Sequence, residues 1–476
     1  MNQIKSIFKN TSWLSASQII TSICAFLWTI LIARYLGVSD YGIVSFAISF
    51  TGLIVIFMDL GMSTYITREL AKHKELLGKY VNNIFFFKII LSVFLFFISW
   101  FILVLLGSPT LTIIVTLIFT LEMIAISMTG FLNGVFQAFE ELKYQSIGTI
   151  LNSGFLLMGI LLTMYLNWGV IAISISYMVA YYIYFIYMLS KYLQKFSFPH
   201  FEIDLSFIKS TIINSLPFGL TNFFYSIYFS IDIVMLSYLS GNYSTGLYKS
   251  AYNIITVFTT FFPVYQNVIF PVMSKFFKES RDLIKVSYEL SVKYLLLFIL
   301  PLSVGIFFYA RPLVDLIYRN QYSLATTPVQ ILIWTVSFLF INGAASTLLN
   351  AVDRETIVTR IYIVAAIFNV ILNLILIPLY SYDGAAIATV LSEVVITVLT
   401  LYYIFKTDFK PDVGLLKNVI KLIIVSLILA IVLYWINVSV WLAIPIGLIV
   451  YVVLLILIRV IDDNDKYIIN ELLNRK

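Results

Sequence analysis

Charged residues are scarce in this sequence of 476 residues, because Asp, Glu, Lys and Arg together make up 11% of it. A soluble domain carries roughly 25% charged residues, so the composition argues against an ordinary soluble protein. Hydrophobic residues account for 61% and aromatic residues for 17%, which argues against a disordered chain. The net charge of +6 comes from basic residues in short gaps between apolar runs, not on one soluble face. An integral membrane protein is therefore predicted, and a nucleic-acid partner is not.

Residues that bind metals or nucleotides are also scarce. The single cysteine, Cys24, cannot form an internal disulfide. The two histidines, His73 and His200, have no neighbour at metal-ligand spacing, so we predict no metal site. Neither a GxxxxGK[ST] phosphate loop nor a G-x-G-x-x-G motif occurs, so ATP is not the expected energy source. No cofactor and no catalytic residue is predicted, so the chain is not expected to be an enzyme.

Long apolar runs dominate what remains, and fourteen are long enough to cross a bilayer, which takes roughly 20 residues of helix. The runs are 12–34, 42–66, 84–106, 110–133, 147–166, 169–190, 210–238, 248–272, 291–310, 328–350, 356–379, 383–406, 416–436 and 439–460. The gaps between them are too short to fold as separate domains. The predicted fold class is therefore an all-α integral membrane protein with about 14 transmembrane helices.

The distribution of lysine and arginine predicts the orientation of these spans. Most of the 30 basic residues lie at the termini or in the gaps after even-numbered spans, such as Arg68, Lys72, Lys74 and Lys79 after span 2. Basic residues are retained on the cytoplasmic side of a membrane. Both termini are therefore predicted to be cytoplasmic.

The sequence contains an internal repeat of six spans. Residues 35–47 resemble residues 239–251, with glycines and an alanine at a constant offset of 204 positions. The matched pairs are Gly37 with Gly241, Gly42 with Gly246, and Ala47 with Ala251. Further on, Asn152 matches Asn369 at an offset of 217. A shift of six spans preserves orientation, so the repeat is parallel, with its axis along the membrane normal.

The repeat predicts how the chain divides. Residues 1–200 would form a first lobe with spans 1 to 6, and residues 201–410 a second lobe with spans 7 to 12. Residues 411–476 would hold spans 13 and 14 and a cytoplasmic tail. In parallel-repeat transporters the binding site lies between the repeats, so a cavity is expected there.

Polar residues recur at helical spacing within several spans, although each costs free energy in hydrocarbon. The stripe of span 8 is Lys249, Asn253, Thr256, Thr260, Pro263 and Asn267; that of span 2 is Ser45, Ser49, Gly52, Asp59 and Ser63. Span 1 carries Ser15, Gln18, Ser22 and Thr29, and span 7 carries Asn222, Tyr225, Ser226 and Asp232. The repeat equates spans 1 and 2 with spans 7 and 8, so these stripes are predicted to line the cavity. The alternative is that they form hydrogen bonds between packed helices.

Four carboxylates lie within the spans, namely Asp59, Glu122, Asp232 and Glu393. A buried carboxylate without a charged partner holds a proton more tightly. Each is therefore a candidate for binding a coupling proton or Na⁺. The alternative for each is a structural hydrogen bond to a neighbouring helix.

Three cations lie within or at the ends of spans. Lys249 heads the stripe of span 8 and is the strongest candidate for holding an anionic substrate. Arg34, near the outer end of span 1, either shares that role or extends to the interface. Lys88 lies one turn into span 3 and is predicted to extend its ammonium to the cytoplasmic interface.

Several short motifs carry a family resemblance. In the first half they are Ala33-Arg34-Tyr35-Leu36-Gly37, Tyr41-Gly42, Asp59-Leu60-Gly61 and Arg68-Glu69-Leu70. In the second half they are Asp232, Gly246-Leu247-Tyr248 with Ala251, and Gly384-Ala385-Ala386. Together with the span count, they resemble the polysaccharide-export, Wzx-type branch of the multidrug/oligosaccharidyl-lipid/polysaccharide (MOP) flippase superfamily. The likeness covers the whole chain in topology, while its motifs are short.

The resemblance implies two six-helix lobes in a V that opens alternately to either side, plus two C-terminal helices. It implies movement of undecaprenyl-diphosphate-linked oligosaccharide units from the inner to the outer leaflet of the bacterial cytoplasmic membrane, for O-antigen, capsule or exopolysaccharide assembly. By position, Arg34 and Lys249 would bind the diphosphate, and Asp59 and Asp232 would be cavity or coupling carboxylates. The implied partners are the lipid-linked sugar, the bilayer, and the polysaccharide polymerase and chain-length machinery.

Four other functions are compatible with a polytopic membrane protein and differ in the features they require. A lipid II flippase shares the count of fourteen spans, whereas a multidrug exporter of the same superfamily would have twelve. A polysaccharide polymerase would need a large outward loop, and the outward gaps here are short and mostly uncharged. A scaffold without transport would not need polar stripes at this cost.

Overall fold

The protein is described here from a computed structural model, which covers residues 2–196, 198, 200–436 and 438–460. These residues are helical almost throughout. The helices are α1 (Asn2–Asp59), α2 (Met62–Lys72), α3 (Leu77–Tyr80), α4 (Phe86–Leu105), α5 (Thr110–Ala138), α6 (Leu142–Leu166), α7 (Gly169–Lys195), α8 (Leu205–Thr259), α9 (Phe261–Glu279), α10 (Arg281–Tyr318), α11 (Thr326–Ala351), α12 (Glu355–Phe405), α13 (Val413–Ile436) and α14 (Val440–Leu457). Short 3₁₀ turns at Lys74–Leu76 and Asn320–Ala325 and a π-helical turn at Val81–Phe85 connect some of them.

Within the described residues, eleven continuous helical segments are long and apolar enough to cross a bilayer. Three of them, Ser17–Lys72, Ser226–Glu279 and Glu355–Phe405, have 56, 54 and 51 residues. Each of these long segments corresponds to two of the predicted spans joined by a kink. The all-α membrane fold predicted from the apolar runs is therefore confirmed.

The kinks in the first two long segments lie at matching positions of the internal repeat and have similar backbone angles. Gly37 interrupts α1 with φ 72° and ψ 178°, and Gly241 interrupts α8 with φ 84° and ψ 171°. Glycine adopts this combination of angles readily, whereas residues with a Cβ atom do not. The two matched glycines thus make the same turn between consecutive spans.

Two predicted spans are broken in the structure. Span 2 was expected to be continuous over 42–66, but α1 ends at Asp59, and Leu60 and Gly61 have φ of 50° and 76° before α2 begins. Span 8 was expected to be continuous over 248–272, but its helix is interrupted at Thr260. Pro263 explains the second break, because it has no N–H to donate to the carbonyl of Thr259 and its ring crowds that group.

The helices pack into two compact units, Met1–Gly246 and Leu247–Lys476. In the first unit, α5 packs against α1, α2, α4 and α7. In the second, α11 packs between α10 and α12, and α13 lies on α10. The division into 1–200, 201–410 and 411–476 follows the sequence repeat and stays a prediction.

A capped helix start fixes α8 at the end that is predicted to face the cytoplasm. The Asp204 carboxylate accepts hydrogen bonds from the Ser206 hydroxyl at 2.5 Å and the Phe207 N–H at 3.0 Å. The bond from Ser206 is the main reason why the pKa of Asp204 lies below its ordinary value, and the nearby Lys79 ammonium adds to it. This is the N-cap arrangement that satisfies free N–H groups in the first turn of a helix.

Candidate functional site

The polar stripe of predicted span 8 lies on the surface of the second unit. The side chains of Thr256, Thr260 and Asn267 are exposed, and those of Lys249 and Asn253 are partly exposed. An exposed polar row on a transmembrane helix is costly in contact with lipid. The exposed members of the stripe, Thr256, Thr260 and Asn267, therefore do not serve to pack helices together inside their own unit.

Lys249 and Asn253 lie beside aromatic side chains in this stripe. The Lys249 ammonium lies 5.6 Å from the centre of the Tyr252 ring. Asn253 interacts with the hydroxyl of Tyr318 on α10. The ring of Tyr252 thus lies beside the cation at the start of the stripe, and Lys249 stays partly accessible, as an anion-binding role would require.

The other predicted substrate-binding residues belong to the first unit. Gln18 is exposed on α1, and Arg34 is partly buried near the kink at Gly37. The backbone of Asn222 is helical, but its side chain lies outside the described residues. The predicted stripe of span 2 differs from that of span 8, because Ser45 and Ser49 are buried in the packing of the first unit.

Asp59 connects three helices of the first unit through its carboxylate. Its Oδ1 accepts a hydrogen bond from Ser63 Oγ at 2.5 Å and forms an ion pair with the Nζ of Lys88. The Lys88 side chain is 0% exposed. The prediction that Lys88 extends to the interface is therefore wrong, because its ammonium is held inside the unit by the partly buried carboxylate of Asp59.

Glu122 lies on α5 in the interior of the first unit and is 3% exposed. Its Oε2 has no hydrogen-bond partner among the described residues. Tyr177 and Tyr181 of α7 lie close enough to interact with it electrostatically. A carboxyl in such surroundings is costly to ionise.

The two remaining carboxylates are buried and hydrogen-bonded. Asp232 accepts a bond from the N–H of Ile233 at 2.8 Å. Glu393 on α12 accepts a bond from the amide of Asn342 on α11 at 2.6 Å, and the Thr397 hydroxyl donates to the Asn342 carbonyl at 2.7 Å. The structure thus joins Glu393, Asn342 and Thr397 in one cluster of the second unit.

The sequence pattern missed two buried polar residues, Asn342 and Lys293. Asn342 was not singled out, although it lies in the middle of predicted span 10, where a polar amide is unusual. Lys293 on α10 is 3% exposed and follows Lys88 at an offset of 205 positions, almost the repeat spacing. The repeat could have identified Lys293 as a second buried lysine. Among the described residues, no group of three His, Cys, Asp or Glu side chains is placed to hold a metal ion.

Comparisons with known proteins agree with this architecture. The model of a family described as "Polysaccharide biosynthesis protein" matches residues 7–277, more than half of the chain, and the MatE family model matches residues 217–375. Capsular polysaccharide biosynthesis protein CapF of Staphylococcus aureus is 24% identical over 407 residues, which cover 84% of this chain and 100% of that protein. The probable low-salt glycan biosynthesis flippase Agl15 of Haloferax volcanii is 24% identical over 250 residues, covering 52% of this chain and 48% of that one.

One solved structure shows the fold. The lipid II flippase MurJ in an inward closed conformation matches with a TM-score of 0.79 at 18% sequence identity. The match covers 94% of this chain and 98% of that one. At this level of identity the likeness concerns the fold alone.

Proposed function

Because the chain belongs to the polysaccharide biosynthesis protein family of the MOP flippase superfamily, we propose that it flips a polyprenyl-diphosphate-linked oligosaccharide across the membrane. The direction would be from the cytoplasmic to the outer leaflet, in the service of surface polysaccharide assembly. The observation that carries this proposal is the exposed polar stripe of α8 and α9, headed by the partly accessible cation Lys249. Sugars need hydrogen-bonding groups along their path, and a diphosphate needs a cation.

In this proposal, Lys249 and Arg34 bind the diphosphate. Asn253, Thr256, Thr260 and Asn267 provide hydrogen bonds to the sugars, as do Gln18 and Asn222. The polyprenyl tail stays in lipid throughout, so it needs no polar surface. Binding and release are the whole task, and the chain carries out no covalent step.

The test is translocation in proteoliposomes that contain the purified protein and a polyprenyl-diphosphate oligosaccharide, followed with an impermeant lectin. We expect Lys249→Ala to slow protein-dependent translocation by about tenfold, since a charge-assisted hydrogen bond contributes roughly 1.5–3 kcal/mol. Lys249→Arg should retain most of the rate. Lys275→Ala removes the same charge from an exposed position outside the stripe and should have no effect.

Different outcomes separate the alternatives. If Lys249→Ala translocates the lipid as fast as the parent protein does, the flippase function stands but Lys249 does not bind the substrate. Translocation of lipid II in place of the oligosaccharide lipid would favour the function named for MurJ. Efflux of organic cations without any lipid translocation would favour a multidrug exporter, which the match to the MatE model makes the second candidate.

We further propose that translocation is coupled to H⁺ or Na⁺ through the four carboxylates within the spans, Asp59, Glu122, Asp232 and Glu393. Glu122 is the first to test because its Oε2 has no partner among the described residues. Glu122→Gln keeps the shape of the protonated acid, so we expect normal folding but loss of the stimulation that an imposed pH gradient produces. Glu202→Gln, at an exposed position of the same unit, should keep that stimulation. If Glu122→Gln responds to the gradient as the parent does, Glu122 is not the coupling residue.

The same proposal places the protein in the cytoplasmic membrane with both termini inside, next to the polymerase and chain-length machinery. The exposed side chains at Lys209 and Lys275 lie in regions predicted to face the cytoplasm. Cysteines introduced there should react with an impermeant thiol reagent only in inverted vesicles. Labelling in right-side-out cells would reverse the predicted orientation.

A further inference from the structure

The break in predicted span 2 is held in an unusual backbone conformation. Leu60 has φ 50° and Gly61 has φ 76°, so two consecutive residues occupy the left-handed region between α1 and α2. Leucine is rarely found there, and such residues persist where the surrounding structure determines them. The contacts around the break should therefore explain why it exists.

The first set of contacts is the ion pair between the buried Lys88 and the partly buried Asp59. Asp59, the last residue of α1, accepts hydrogen bonds from the hydroxyl and the backbone N–H of Ser63, which lies in the first turn of α2. Lys88 reaches the same carboxylate from α4 and lies 3.4 Å from Ser63 Oγ. One carboxylate thus connects the end of α1, the start of α2 and a lysine of a third helix.

The second set of contacts lies on the other side of the break. A Cβ atom at Gly61 would lie 2.4 Å from the backbone N of Gly219 and 2.6 Å from the carbonyl oxygen of Ser215. A Cβ atom at Gly219 would lie 2.8 Å from the carbonyl group of Leu60. The backbone of the break therefore rests directly on the backbone of α8, with two glycines permitting the approach.

We propose that Lys88 is a positioning residue for transport, which acts through Asp59 to fix the break so that Gly61 lies against Gly219. Lys88, Asp59 and Ser63 hold one side of the break, and α8 covers the other side. Loss of the ion pair would let the Leu60–Gly61 backbone relax and would release α2 from its place on α8. The effect on transport rests on the proposed function, whereas the effect on the α2–α8 contact does not.

The second repeat has no carboxylate at the position that matches Asp59. Lys293 matches Lys88 at an offset of 205, but the position that matches Asp59 at an offset of 204 is Pro263. The second unit breaks its helix at Thr260 with that proline instead. The two repeats thus interrupt corresponding spans by different means, and the first one depends on charge.

The test measures the distance between α2 and α8 directly. In a Cys24→Ser background, spin labels at Lys72→Cys and Lys209→Cys, both exposed, report the distribution of distances by pulsed electron resonance. Lys88→Met leaves the partly buried Asp59 carboxylate without its charged partner and should lower the melting temperature. Asp59→Asn with Lys88→Met removes both charges and should restore the melting temperature.

The double variant is the decisive one, because with its stability restored any change in distance or transport cannot be attributed to unfolding. We expect its distance distribution to broaden and its translocation rate to fall at least fivefold. The control pair Glu141→Gln with Lys195→Met removes a partly exposed ion pair of the same unit and should change neither quantity. Gly219→Ala should broaden the same distribution from the α8 side, which tests the contact between Gly61 and Gly219. If the double variant does not fold, the distance distribution of Lys88→Met, recorded below its own melting temperature, tests the role of Lys88.

Two results would overturn the proposal. One is a narrow, parent-like distribution: in the double variant it would mean that the pair does not position the break, and in Gly219→Ala it would mean that the contact between Gly61 and Gly219 does not set the distance. The other is a broadened distribution with a parent translocation rate, which would mean that the position of the break does not matter for transport. If no protein, including the parent, moves the lipid, the flippase function fails, while the distance measurement still decides the role of Lys88.

Discussion

Replacing Gly42 by alanine is expected to destabilise the protein by about 3 kcal/mol, because there is no space for a methyl group. A Cβ atom at Gly42 would lie 1.8 Å from the carbonyl oxygen of Asn242. That oxygen belongs to backbone, which cannot move aside as a flexible side chain could. The loss of stability should appear as a clear fall of the melting temperature in detergent. Translocation should also be slower if transport requires the contact between Gly42 and Asn242.

Gly246 should behave in the same way, because it occupies the matching position of the repeat. A Cβ atom at Gly246 would lie 2.0 Å from the carbonyl oxygen of Val38, and Val38 precedes Asn242 by the same 204 positions. The two glycines therefore meet across a local two-fold arrangement inside the Met1–Gly246 unit. This explains physically why both repeats carry glycine at this point.

Gly52→Ala is the control for both variants. Gly52 lies in α1, ten positions after Gly42, and no described atom lies within 4 Å of the position of its Cβ. Alanine favours a helix more than glycine does, so this variant should melt at the parent temperature or slightly above. Equal melting temperatures for all three alanine variants would show that the close approach at Gly42 is absent in the membrane.

Asn342→Ala is expected to cost about 2–4 kcal/mol, because it removes the link between α11 and α12 in the second unit. The Asn342 amide donates to Glu393 at 2.6 Å, and its carbonyl accepts from Thr397 at 2.7 Å. All three side chains are buried. The substitution deprives a buried carboxyl and a buried hydroxyl of a partner while it opens a small cavity. Thermal unfolding of the purified protein measures the loss.

Ser346→Ala provides the matched comparison on the same face of α11, one turn away. The Ser346 hydroxyl is buried and has no hydrogen-bond partner among the described residues. Its removal should therefore be neutral or slightly stabilising, because a buried polar group without a partner is itself a cost. A loss in Ser346→Ala as large as in Asn342→Ala would mean that packing volume matters here, and not the hydrogen bonds.

The transmembrane segments could be located from the sequence because each one only has to be apolar over a sufficient length of chain. A helix that crosses hydrocarbon needs a sufficient length of apolar side chains and can be read without knowing its neighbours. The turn glycines Gly37 and Gly241 could be found for a similar reason, since the required backbone angles act at a single position. The repeat then linked the two positions.

Which charged side chains pair with one another could not be predicted from the sequence in this way. Lys88 forms an ion pair with a carboxylate 29 positions away. The sequence alone predicted instead that its ammonium lies at the membrane interface. Which of the two applies depends on how α4 packs against the end of α1. Asn342 was overlooked for the same reason, because its partner Glu393 lies 51 positions away on another helix.

The sequence by itself determined that this is a multi-pass α-helical membrane protein with an internal repeat and that it resembles the MOP flippases. Burial in hydrocarbon acts on each segment separately, and the family motifs are local. Only the tertiary structure decided where span 2 breaks, that Lys88 is buried with Asp59, and that Gly42 and Gly246 meet through their backbones. These features depend on the distance between helices, which is set by the packing of many side chains and by no single segment.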